Sequence, residues 1–473
     1  MNKSVSDESI RWFNRRASVR GSLTLYTIGA CIMVTWSAIA QGLPLTHFAK
    51  LLDMPAYAFG VLGSITYYGY FFQLIGSYMV ERFGHRKGIF IVGGLLHRAV
   101  WILIGLLPLI LPFSWTWVIL IVMIGFSWSA LCFADPARTI WFADLIPSRI
   151  VGRYLSRRTS IAMIVTVVAG LAVAYVIDLG EKAGPLCKNN ILIGFFILAG
   201  IIGSIEFILY IFIYNPPTHK GKSSTNIWKL FAKPLKDREF MRIVFFHSTF
   251  LLTMMMTAQY TILFYLDILK LSNSIIAVLA MIPNFLWIGA FPFWGKLVDK
   301  VSYKPVFAIG AAAMALQFIF LVFMTPNHFT ILYVLSTATL FFFPGIEMAL
   351  NVVIMDKAKT KDDQGGNSSY SAVLGVCTAI TGVASGLLAA VIVGYMGKDW
   401  HLNVLGLNLT YHSILFLFVC GIRLAIMLWI PGMKNVKGYT IRQTLREIAL
   451  QMKSDAIWII GIPRRLLRQT AKR

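Results

Sequence analysis

Residues 77–87 read Ser-Tyr-Met-Val-Glu-Arg-Phe-Gly-His-Arg-Lys, a charged segment between two long apolar runs. Residues 295–305 read Gly-Lys-Leu-Val-Asp-Lys-Val-Ser-Tyr-Lys-Pro, and they lie between two further apolar runs, 218 residues later. The two charged segments align without a gap, and each occupies the same place in its part of the chain. The sequence therefore contains two like halves in the same orientation, and this repeat decides the fold.

The apolar runs around these segments are long enough to cross a membrane. Of the 473 residues, 58% are hydrophobic and 13% are charged, whereas soluble domains are about 45–50% apolar and about 25% charged. Runs of roughly 20 residues cross the bilayer as helices, since lipid offers no partner to a free backbone group. The sequence predicts an all-α membrane protein with twelve transmembrane helices, spans 1 to 12, at residues 22–46, 56–79, 89–110, 116–140, 159–178, 191–214, 243–266, 274–298, 305–324, 330–354, 369–396 and 409–430.

The basic residues are distributed as this map requires. Most lysines and arginines fall in loops on one side, and the other side receives only Lys50, Lys182, Lys188, Lys270 and Lys398. By the positive-inside rule the first side is cytoplasmic and both termini lie there, in a plasma (inner) membrane protein. The net charge of +23 belongs to these loops, so we expect no nucleic-acid partner. The predicted parts are a cytoplasmic N-terminus (1–21), two six-helix bundles (22–214 and 243–430), a cytoplasmic linker (215–242) and a basic cytoplasmic tail (431–473).

The charged segments resemble the loop signature of the major facilitator superfamily, roughly Gly-x-x-x-Asp-Arg-x-Gly-x-Arg-Arg after the second span of a half. The first copy matches at Glu81, Arg82, Gly84, Arg86 and Lys87, and the second at Gly295, Asp299, Lys300 and Lys304. Ser77 and Ser302 each replace a signature glycine. The resemblance implies two pseudo-symmetric six-helix halves and a latch that favours the outward-facing state. A small residue there allows two helix ends to approach closely, and an acid meets a helix N-terminus or a basic partner.

Charged residues within the spans are candidates for ion coupling, because a charge inside a membrane is costly. Span 4 carries Asp135 and, one turn on, Arg138, which share a helix face; span 10, its equivalent, carries Glu347. A carboxyl facing a cavity of low dielectric favours its protonated form, so we expect Glu347 to carry protons and Asp135 to form a gating pair with Arg138. His247 on span 7 is a third candidate. The alternatives are a static Asp135–Arg138 pair, a structural Glu347 and a packing histidine.

Three further charges within spans are predicted to be structural. Arg98 on span 3 and Glu206 on span 6 can pair, because the family resemblance places these two spans next to each other. Arg423 on span 12 should find a partner or extend its charged end towards the membrane surface.

Polar and aromatic side chains on several spans are candidates for the wall of a solute cavity. Aromatic faces with scattered amides and hydroxyls suit a sugar-like or amphipathic organic solute. The alternative is that half of these side chains form hydrogen bonds between helices. The candidates are Thr35, Trp36, Gln41, Tyr67, Tyr70, Gln73, Thr253, Thr257, Gln259, Tyr260, Asn284 and Thr378.

The tail contains the pattern of a cationic amphipathic helix. An apolar stripe recurs at helical spacing, at Ile441, Leu445, Ile448 and Met452. Basic residues lie off this stripe, at Arg442, Arg446 and Lys453. Such a helix is suited to lie on an anionic leaflet, so we expect anionic lipid as a partner of the tail.

The whole pattern predicts a secondary active transporter that moves a small organic solute, sugar-like or another metabolite, by alternating access. Two like halves with a site between them near the midplane suit that task, and symport with H⁺ or Na⁺ would drive it. The sequence has no P-loop, zinc-ligand cluster or nucleophile elbow, so we expect no cofactor, no metal and no enzymatic activity. We also expect a monomer.

Three other functions compete with this prediction. An efflux antiporter for amphipathic compounds fits the fold, but span 5 lacks the Gly-Pro motif that such members often carry, and span 1 lacks an acid. A sensor or assembly protein would keep the fold without transport. A membrane-embedded lipid transferase would need acids and histidines clustered near one interface, whereas the acids here lie deep in the spans.

Overall fold

The structure is a computed structural model that describes residues 2–111, 115–146, 151–216, 234–358, 366–397, 400–404, 407–435 and 437–454. Within these ranges most of the backbone is helical. The side chain of Glu81 lies outside the described part, as do residues 217–233 of the predicted linker and residues 455–473 of the predicted tail.

Six spans form the first half. Gly42 interrupts span 1 at a φ of 60°, and Pro185 begins span 6, where a missing backbone N–H costs nothing. The helices are Asn2–Ala40 with Leu43–Leu51 (span 1), Ala58–Tyr68 with Tyr70–Phe83 (span 2), Arg86–Ile110 (span 3), Thr116–Leu145 (span 4), Val151–Ala183 (span 5) and Pro185–Tyr210 (span 6).

Six further spans form the second half. Their helices are Arg238–Leu263 (span 7), Asn273–Lys300 (span 8), Tyr303–Val322 (span 9), Phe329–Thr339 with Phe343–Ala358 (span 10), Gly366–Met396 (span 11) and Tyr411–Met427 (span 12). A π-helical turn, Phe264–Ile268, extends span 7, and a 3-10 turn, Leu340–Phe342, joins the two parts of span 10. A 3-10 turn, Ile430–Gly432, follows span 12. A last helix covers residues 441–454, where the amphipathic pattern predicts one.

Span 2 is divided near its middle by one glycine into two short helices. Within the described residues, 11 helical stretches are long and apolar enough to cross a membrane, and span 2 is not among them. Its two helices meet at Gly69, a residue of low helix propensity. A Cβ at Gly69 would lie 2.8 Å from the carbonyl oxygen of Trp128, so span 4 closely approaches span 2 at the break. The predicted plan of twelve helices in two halves is confirmed.

A pair of short strands lies between spans 11 and 12, where the all-helical plan contains no element. His401–Val404 and Leu407–Thr410 pair antiparallel, with His401 opposite Thr410. Residues 401–410 read His-Leu-Asn-Val-Leu-Gly-Leu-Asn-Leu-Thr, in which polar and apolar residues alternate on either side of a glycine. This alternation is typical of a hairpin, and the run is too short to cross a membrane.

The chain divides into two compact units. Unit 1 comprises Met1–Thr225, Met254–Met281 and Gly375–Trp400, and unit 2 comprises Asn226–Thr253, Ile282–Leu374 and His401–Arg473. In unit 1, span 3 packs against spans 4 and 6, and span 1 packs against spans 5 and 6. In unit 2, span 9 packs against spans 10 and 12. Spans 3 and 9 therefore have equivalent neighbours, as the sequence repeat predicts.

Aromatic rings fill the interior of each unit. In unit 1, Tyr26 stacks on Phe142 with ring centroids 3.7 Å apart. In unit 2, Phe246 stacks on Phe307 at 4.7 Å. Such rings bury a large apolar area and have few rotatable bonds. They stabilise the packing of the helices that carry the charged residues.

Candidate coupling and gating sites

The first charged segment fastens the ends of spans 4 and 6 within unit 1. Arg86 is buried, pairs with the carboxylate of Asp144, and donates through Nη2 to the carbonyl oxygen of Pro216 at 2.7 Å. Lys87 Nζ donates to two carbonyl oxygens just past the end of span 6, at 2.7 and 2.8 Å. A cation is stabilised at a helix C-terminus, where the last carbonyl groups lack helical partners.

The second charged segment repeats this arrangement at span 12. Lys304 Nζ donates to two carbonyl oxygens just past the end of that span, each at 2.9 Å. Lys304 thus does in the second half what Lys87 does in the first. Nζ of Lys300 lies 2.6 Å from Oε2 of Glu447 in the last helix. That helix follows the second half in the sequence, so the first half has no equivalent of this pair.

The signature glycines behave differently from one another. Gly84 ends span 2 at a φ of 68°, a left-handed conformation that favours glycine. A Cβ at Gly295 would meet no described atom within 4 Å, so the close helix approach expected there is absent from this structure. Arg82 donates to the Tyr78 hydroxyl of its own helix at 2.9 Å. The latch role of these residues remains a prediction.

His247 and Glu347, which the sequence indicates separately, are partners. Nε2 of His247 lies 3.0 Å from Oε1 of Glu347, and the contact joins span 7 to span 10 within unit 2. The histidine side chain is 5% exposed and the carboxylate side chain 26%, so the ring is enclosed while the carboxylate reaches accessible space. The coupling role of the two residues remains a prediction. No local spacing reveals their contact, because the two residues are 100 positions apart.

Asp135 has its partner one turn away in span 4. Nε of Arg138 lies 2.6 Å from Oδ1 of Asp135, and both side chains are partly exposed. The expected shared helix face is therefore present. The two candidate carboxylates differ in their partners: Asp135 contacts a guanidinium, whereas Glu347 contacts an imidazole ring.

Arg98 and Glu206 form a buried ion pair within unit 1. Nη2 of Arg98 lies 2.7 Å from Oε2 of Glu206, and the two side chains are 3% and 4% exposed. The Tyr210 hydroxyl donates to Glu206 at 3.1 Å, and the Trp36 ring lies 3.6 Å from the guanidinium carbon. These contacts join spans 1, 3 and 6 and pair the two buried charges, while Nε of Arg98 has no hydrogen-bond partner among the described residues.

Arg423 is buried without a carboxylate partner among the described residues. It donates through Nε to the Thr253 hydroxyl at 2.9 Å and through Nη1 to the carbonyl oxygen of Met314 at 2.6 Å. The rings of Phe318 and Phe250 lie 4.6 and 4.8 Å from the guanidinium carbon. Hydrogen bonds and cation–π contacts therefore hold the buried Arg423, and no acid in the described part of the chain pairs with it.

Four of the predicted cavity residues are buried inside the units, and their role in a cavity remains a prediction. Trp36 and Thr253 contact the buried arginines, Tyr260 donates to the carbonyl oxygen of Ala56 at 3.2 Å, and Thr257 is buried too. Helical spacing shows that side chains share a face, but not what that face contacts. The other candidates keep accessible surface: Thr35, Gln41, Tyr67, Tyr70, Gln73, Gln259, Asn284 and Thr378.

A polar network that no sequence pattern indicates joins spans 1, 5 and 8 in unit 1. Asp178 on span 5 accepts hydrogen bonds from the backbone N–H groups of Asn273 at 2.9 Å and Ser274 at 3.0 Å. The Asn273 side-chain amide also donates to Asp178, at 2.8 Å. Nε2 of His47 lies 2.5 Å from the amide oxygen of Asn273. These residues lie at the span ends predicted to face the outside.

An ion pair extends this network to span 7. Lys50, one of the few basic residues on the predicted outer side, pairs with Asp267. Within the part of the chain that the structure describes, no group of three or more His, Cys, Asp or Glu side chains is placed to hold a metal ion.

Comparison with known families accounts for this arrangement of charged segments and spans. The profile of the Major Facilitator Superfamily matches residues 25–386 and, in a second alignment, residues 245–458. The chain belongs to the Major Facilitator Superfamily. No curated protein matches it at a significant level.

Solved structures share the superfamily fold with this chain. The nucleoside transporter NupG has a TM-score of 0.60 and 13% identity, covering 89% of this chain and 100% of that chain. A D-xylose-proton symporter has a TM-score of 0.60 and 14% identity, covering 89% and 100%. The xylose transporter XylE from E. coli, in an inward open conformation, has a TM-score of 0.60 and 14% identity, covering 90% and 99%.

Membership of the Major Facilitator Superfamily makes the chain a secondary transporter of small solutes, as the sequence predicts. Its members are transporters and not enzymes, so the competing assignment as a membrane-embedded lipid transferase is set aside. The chain is an integral membrane protein, and the charged pairs described above are candidates for its coupling and gating machinery.

Proposed function

We propose that this chain is a proton-coupled symporter for a small polar organic solute, with His247 and Glu347 as its proton site. The contact of 3.0 Å between the imidazole ring and the carboxylate carries this proposal. Imidazole changes its charge near neutral pH, and the adjacent carboxylate can accept the same proton. The partner of Asp135 is Arg138, whose guanidinium stays charged in proteins. We therefore assign these two residues to a gating pair.

Proton binding changes the charge of the His247–Glu347 pair. Without the extra proton the pair carries one negative charge, and with it the pair is neutral in sum. A neutral pair costs less to enclose in a medium of low dielectric than a charged one. Proton binding therefore favours enclosure of the site around a solute, and proton release favours reopening. The partly exposed carboxylate of Glu347 gives the proton a route to the otherwise buried ring.

Aromatic and amide side chains support a sugar or a nucleoside as the solute class. Tyr67 and Tyr70 stack with ring centroids 6.1 Å apart, and Gln73 follows within one turn. Rings of this kind pack on the apolar faces of a sugar or a base, while amides bind hydroxyl groups. Structures of similar fold include a nucleoside transporter and a D-xylose-proton symporter, which supports the same solute class.

The proposal includes an orientation and an environment. The basic loops support placement of both termini in the cytoplasm, in the plasma (inner) membrane. We assign anionic lipid to the basic tail, and we take the transporting form to be a monomer with one solute site between its two halves.

Uptake by proteoliposomes tests the proposal. A panel of labelled pentoses, hexoses and nucleosides is offered with an imposed proton gradient, and a pH dye in the lumen reports proton entry. We expect at least one solute to accumulate and its uptake to acidify the lumen. Glu347→Gln should abolish the accumulation yet spare exchange of solute for solute, because it removes the proton site and not the alternating movement.

Two further variants sharpen this experiment. Asp53→Asn changes an exposed loop carboxylate and should leave accumulation and exchange unaltered. Asp135→Asn should impair accumulation and exchange alike, because it leaves Arg138 without its partner. Accumulation against a gradient by Glu347→Gln would show that the driving ion binds elsewhere and that Glu347 is structural.

A further inference from the structure

The tail helix, residues 441–454, is fastened to the second charged segment. Oε2 of Glu447 lies 2.6 Å from Nζ of Lys300. Lys437, just before the helix, donates to the backbone carbonyl oxygen of Asp299. These residues belong to unit 2, at the point where span 8 ends and span 9 begins. The contacts therefore hold the tail helix at the level of the span ends.

One face of the tail helix is packed, and the neighbouring face is apolar and open. Thr444 and Ile448 are buried. Ile441, Leu445 and Met452 are 52%, 48% and 50% exposed, and at about 100° per residue they form one stripe. An exposed apolar stripe on a helix held beside the ends of membrane spans is typical of a surface that lies in the membrane interface.

The side chains next to this stripe are basic. Arg442, Arg446 and Lys453 are exposed beside it, and Glu447, the one acid within residues 441–454, is turned towards Lys300. A cavity of about 510 Å³ borders the helix, and its basic, amide and hydroxyl groups suit a lipid headgroup that carries a phosphate, while its one acid, Glu447, pairs with Lys300. It is lined by Lys437, Gly438, Tyr439, Gln443, Arg446, Glu447 and Leu450.

We propose that the tail helix is a clamp that binds the anionic leaflet of the membrane and holds the second charged segment. The apolar stripe enters the interface, the basic side chains bind lipid phosphates, and Glu447 holds Lys300. Lys300 belongs to the second charged segment, and Glu447 belongs to the tail helix. Binding of the tail helix to the leaflet and the ion pair between Glu447 and Lys300 therefore stabilise each other. The bilayer is the occupant of this face because spans 8 and 9 place its surface beside the helix. This inference rests on the lipid partner that the proposed function assigns to the tail, and not on proton coupling.

Hydrogen exchange of the full-length protein in nanodiscs tests the membrane contact. The amides of residues 444–452 are compared in phosphatidylcholine alone and in phosphatidylcholine with phosphatidylglycerol. Each basic residue near an anionic surface strengthens binding by roughly fivefold. Three such residues predict exchange slowed by up to about a hundredfold with phosphatidylglycerol, and high salt should reverse this slowing. Equal exchange in the two lipids would overturn the proposal, and this comparison requires no substitution.

Two charge-matched triple variants identify the residues responsible. The first neutralises the basic side chains of the tail helix and should remove the slowing; it carries Arg442→Gln, Arg446→Gln and Lys453→Gln. The second removes the same charge from the predicted outer side and should retain the slowing; it carries Lys182→Gln, Lys270→Gln and Lys398→Gln. Equal loss in both variants would show a general effect of net charge and would overturn the assignment to the tail helix.

A disulfide measures the hold on the second charged segment. Lys300→Cys and Glu447→Cys are combined, and the yield of the cross-link is compared in the same two lipids. We expect a severalfold higher yield with phosphatidylglycerol, while Lys300→Cys alone gives no such band. Slowed exchange with an unchanged cross-link yield would overturn the link between the membrane and the second charged segment.

Discussion

Ser302 and Gly84 occupy equivalent positions in the two charged segments. Both have a positive φ, which is favourable for glycine and unfavourable for serine. Gly84 has a φ of 68°, and Ser302 has a φ of 140° with a ψ of 163°. The latter conformation is essentially confined to glycine, and a side chain there costs about 1–3 kcal/mol. The Ser302 hydroxyl is also buried, with no hydrogen-bond partner among the described residues. Ser302 is therefore a strained replacement for a signature glycine.

Ser302→Gly should stabilise the protein by about 1–3 kcal/mol, because it relieves the backbone strain and removes an unsatisfied hydroxyl. Thermal unfolding of the purified protein in detergent should show a higher Tm. Ser77→Gly is the matched control: it lies within the second helix of span 2, where glycine lowers stability by about 0.5 kcal/mol. A Tm for Ser302→Gly at or below that of the wild type would contradict the assigned strain.

The Arg98–Glu206 pair shows how burial decides the value of a charge. Glu206→Leu leaves the Arg98 guanidinium buried without its carboxylate and should cost about 3–5 kcal/mol of stability. The double variant Arg98→Leu with Glu206→Leu should recover part of that loss, because no charge remains buried. Lys188→Gln, which breaks the exposed pair with Glu181, should change stability by about 1 kcal/mol or less. Denaturation monitored by tryptophan fluorescence measures all three. A double variant no more stable than Glu206→Leu would exclude the buried charge as the cause.

At the scale of elements, span 8 begins with a cap supplied by another helix. The first backbone N–H groups of a helix lack intrahelical partners, and an anion there also interacts favourably with the helix dipole. The carboxylate of Asp178 on span 5 accepts from two of these groups, those of Asn273 and Ser274. A helix is usually capped by a side chain directly before it in the sequence. Here the capping side chain comes from a helix of the other half, so the cap joins span 5 to span 8.

Asp178→Ala should accelerate amide exchange at residues 273 and 274. A cap of this kind contributes about 1 kcal/mol, which corresponds to roughly a fivefold change in exchange rate. Asp178→Asn retains an acceptor oxygen and should show a smaller change, and Asp53→Asn should show none. Equal exchange in the wild type and in Asp178→Ala would mean that span 8 does not depend on span 5 for its cap.

At the scale of the whole molecule, the repeat in the sequence becomes a repeat of contacts. Arg86 and Lys304, which align in the two charged segments, bind carbonyl groups after spans 6 and 12, and these spans are equivalent in the two halves. Each half also has a buried arginine that joins an equivalent pair of helices. Arg98 on span 3 contacts span 6, and Arg423 on span 12 contacts span 9. An arginine can bridge two packed helices from either of them. The pairing of the helices is therefore repeated in the two halves, although the arginine lies on a different helix of the pair.

The topology of the whole chain yields a separate prediction. Reporter tags after Arg473 and within residues 215–236 should both be read as cytoplasmic, and a tag near Lys398 should be read as external, because the basic loops fix the orientation. Protease protection or alkaline phosphatase fusions in intact cells provide the measurement. A cytoplasmic result near Lys398 would contradict the map of twelve spans.

The amino-acid sequence by itself determined the membrane class, the positions of the spans, the two halves and the superfamily. These features depend on composition and on spacing along the chain: a helix must hide its backbone from lipid, and a repeat is visible in one dimension. The ion pair of Asp135 with Arg138 belongs here too, since residues three apart on a helix share a face.

The tertiary structure alone decided which distant side chains meet. His247 contacts Glu347 across 100 residues, Asp178 caps a helix of the other half, and Thr253 accepts a hydrogen bond from Arg423. Periodicity places a side chain on a face of its own helix, but the neighbour of that face depends on how helices pack. A charge in a low dielectric gains or loses several kcal/mol according to that neighbour, so the roles of these residues are set by packing.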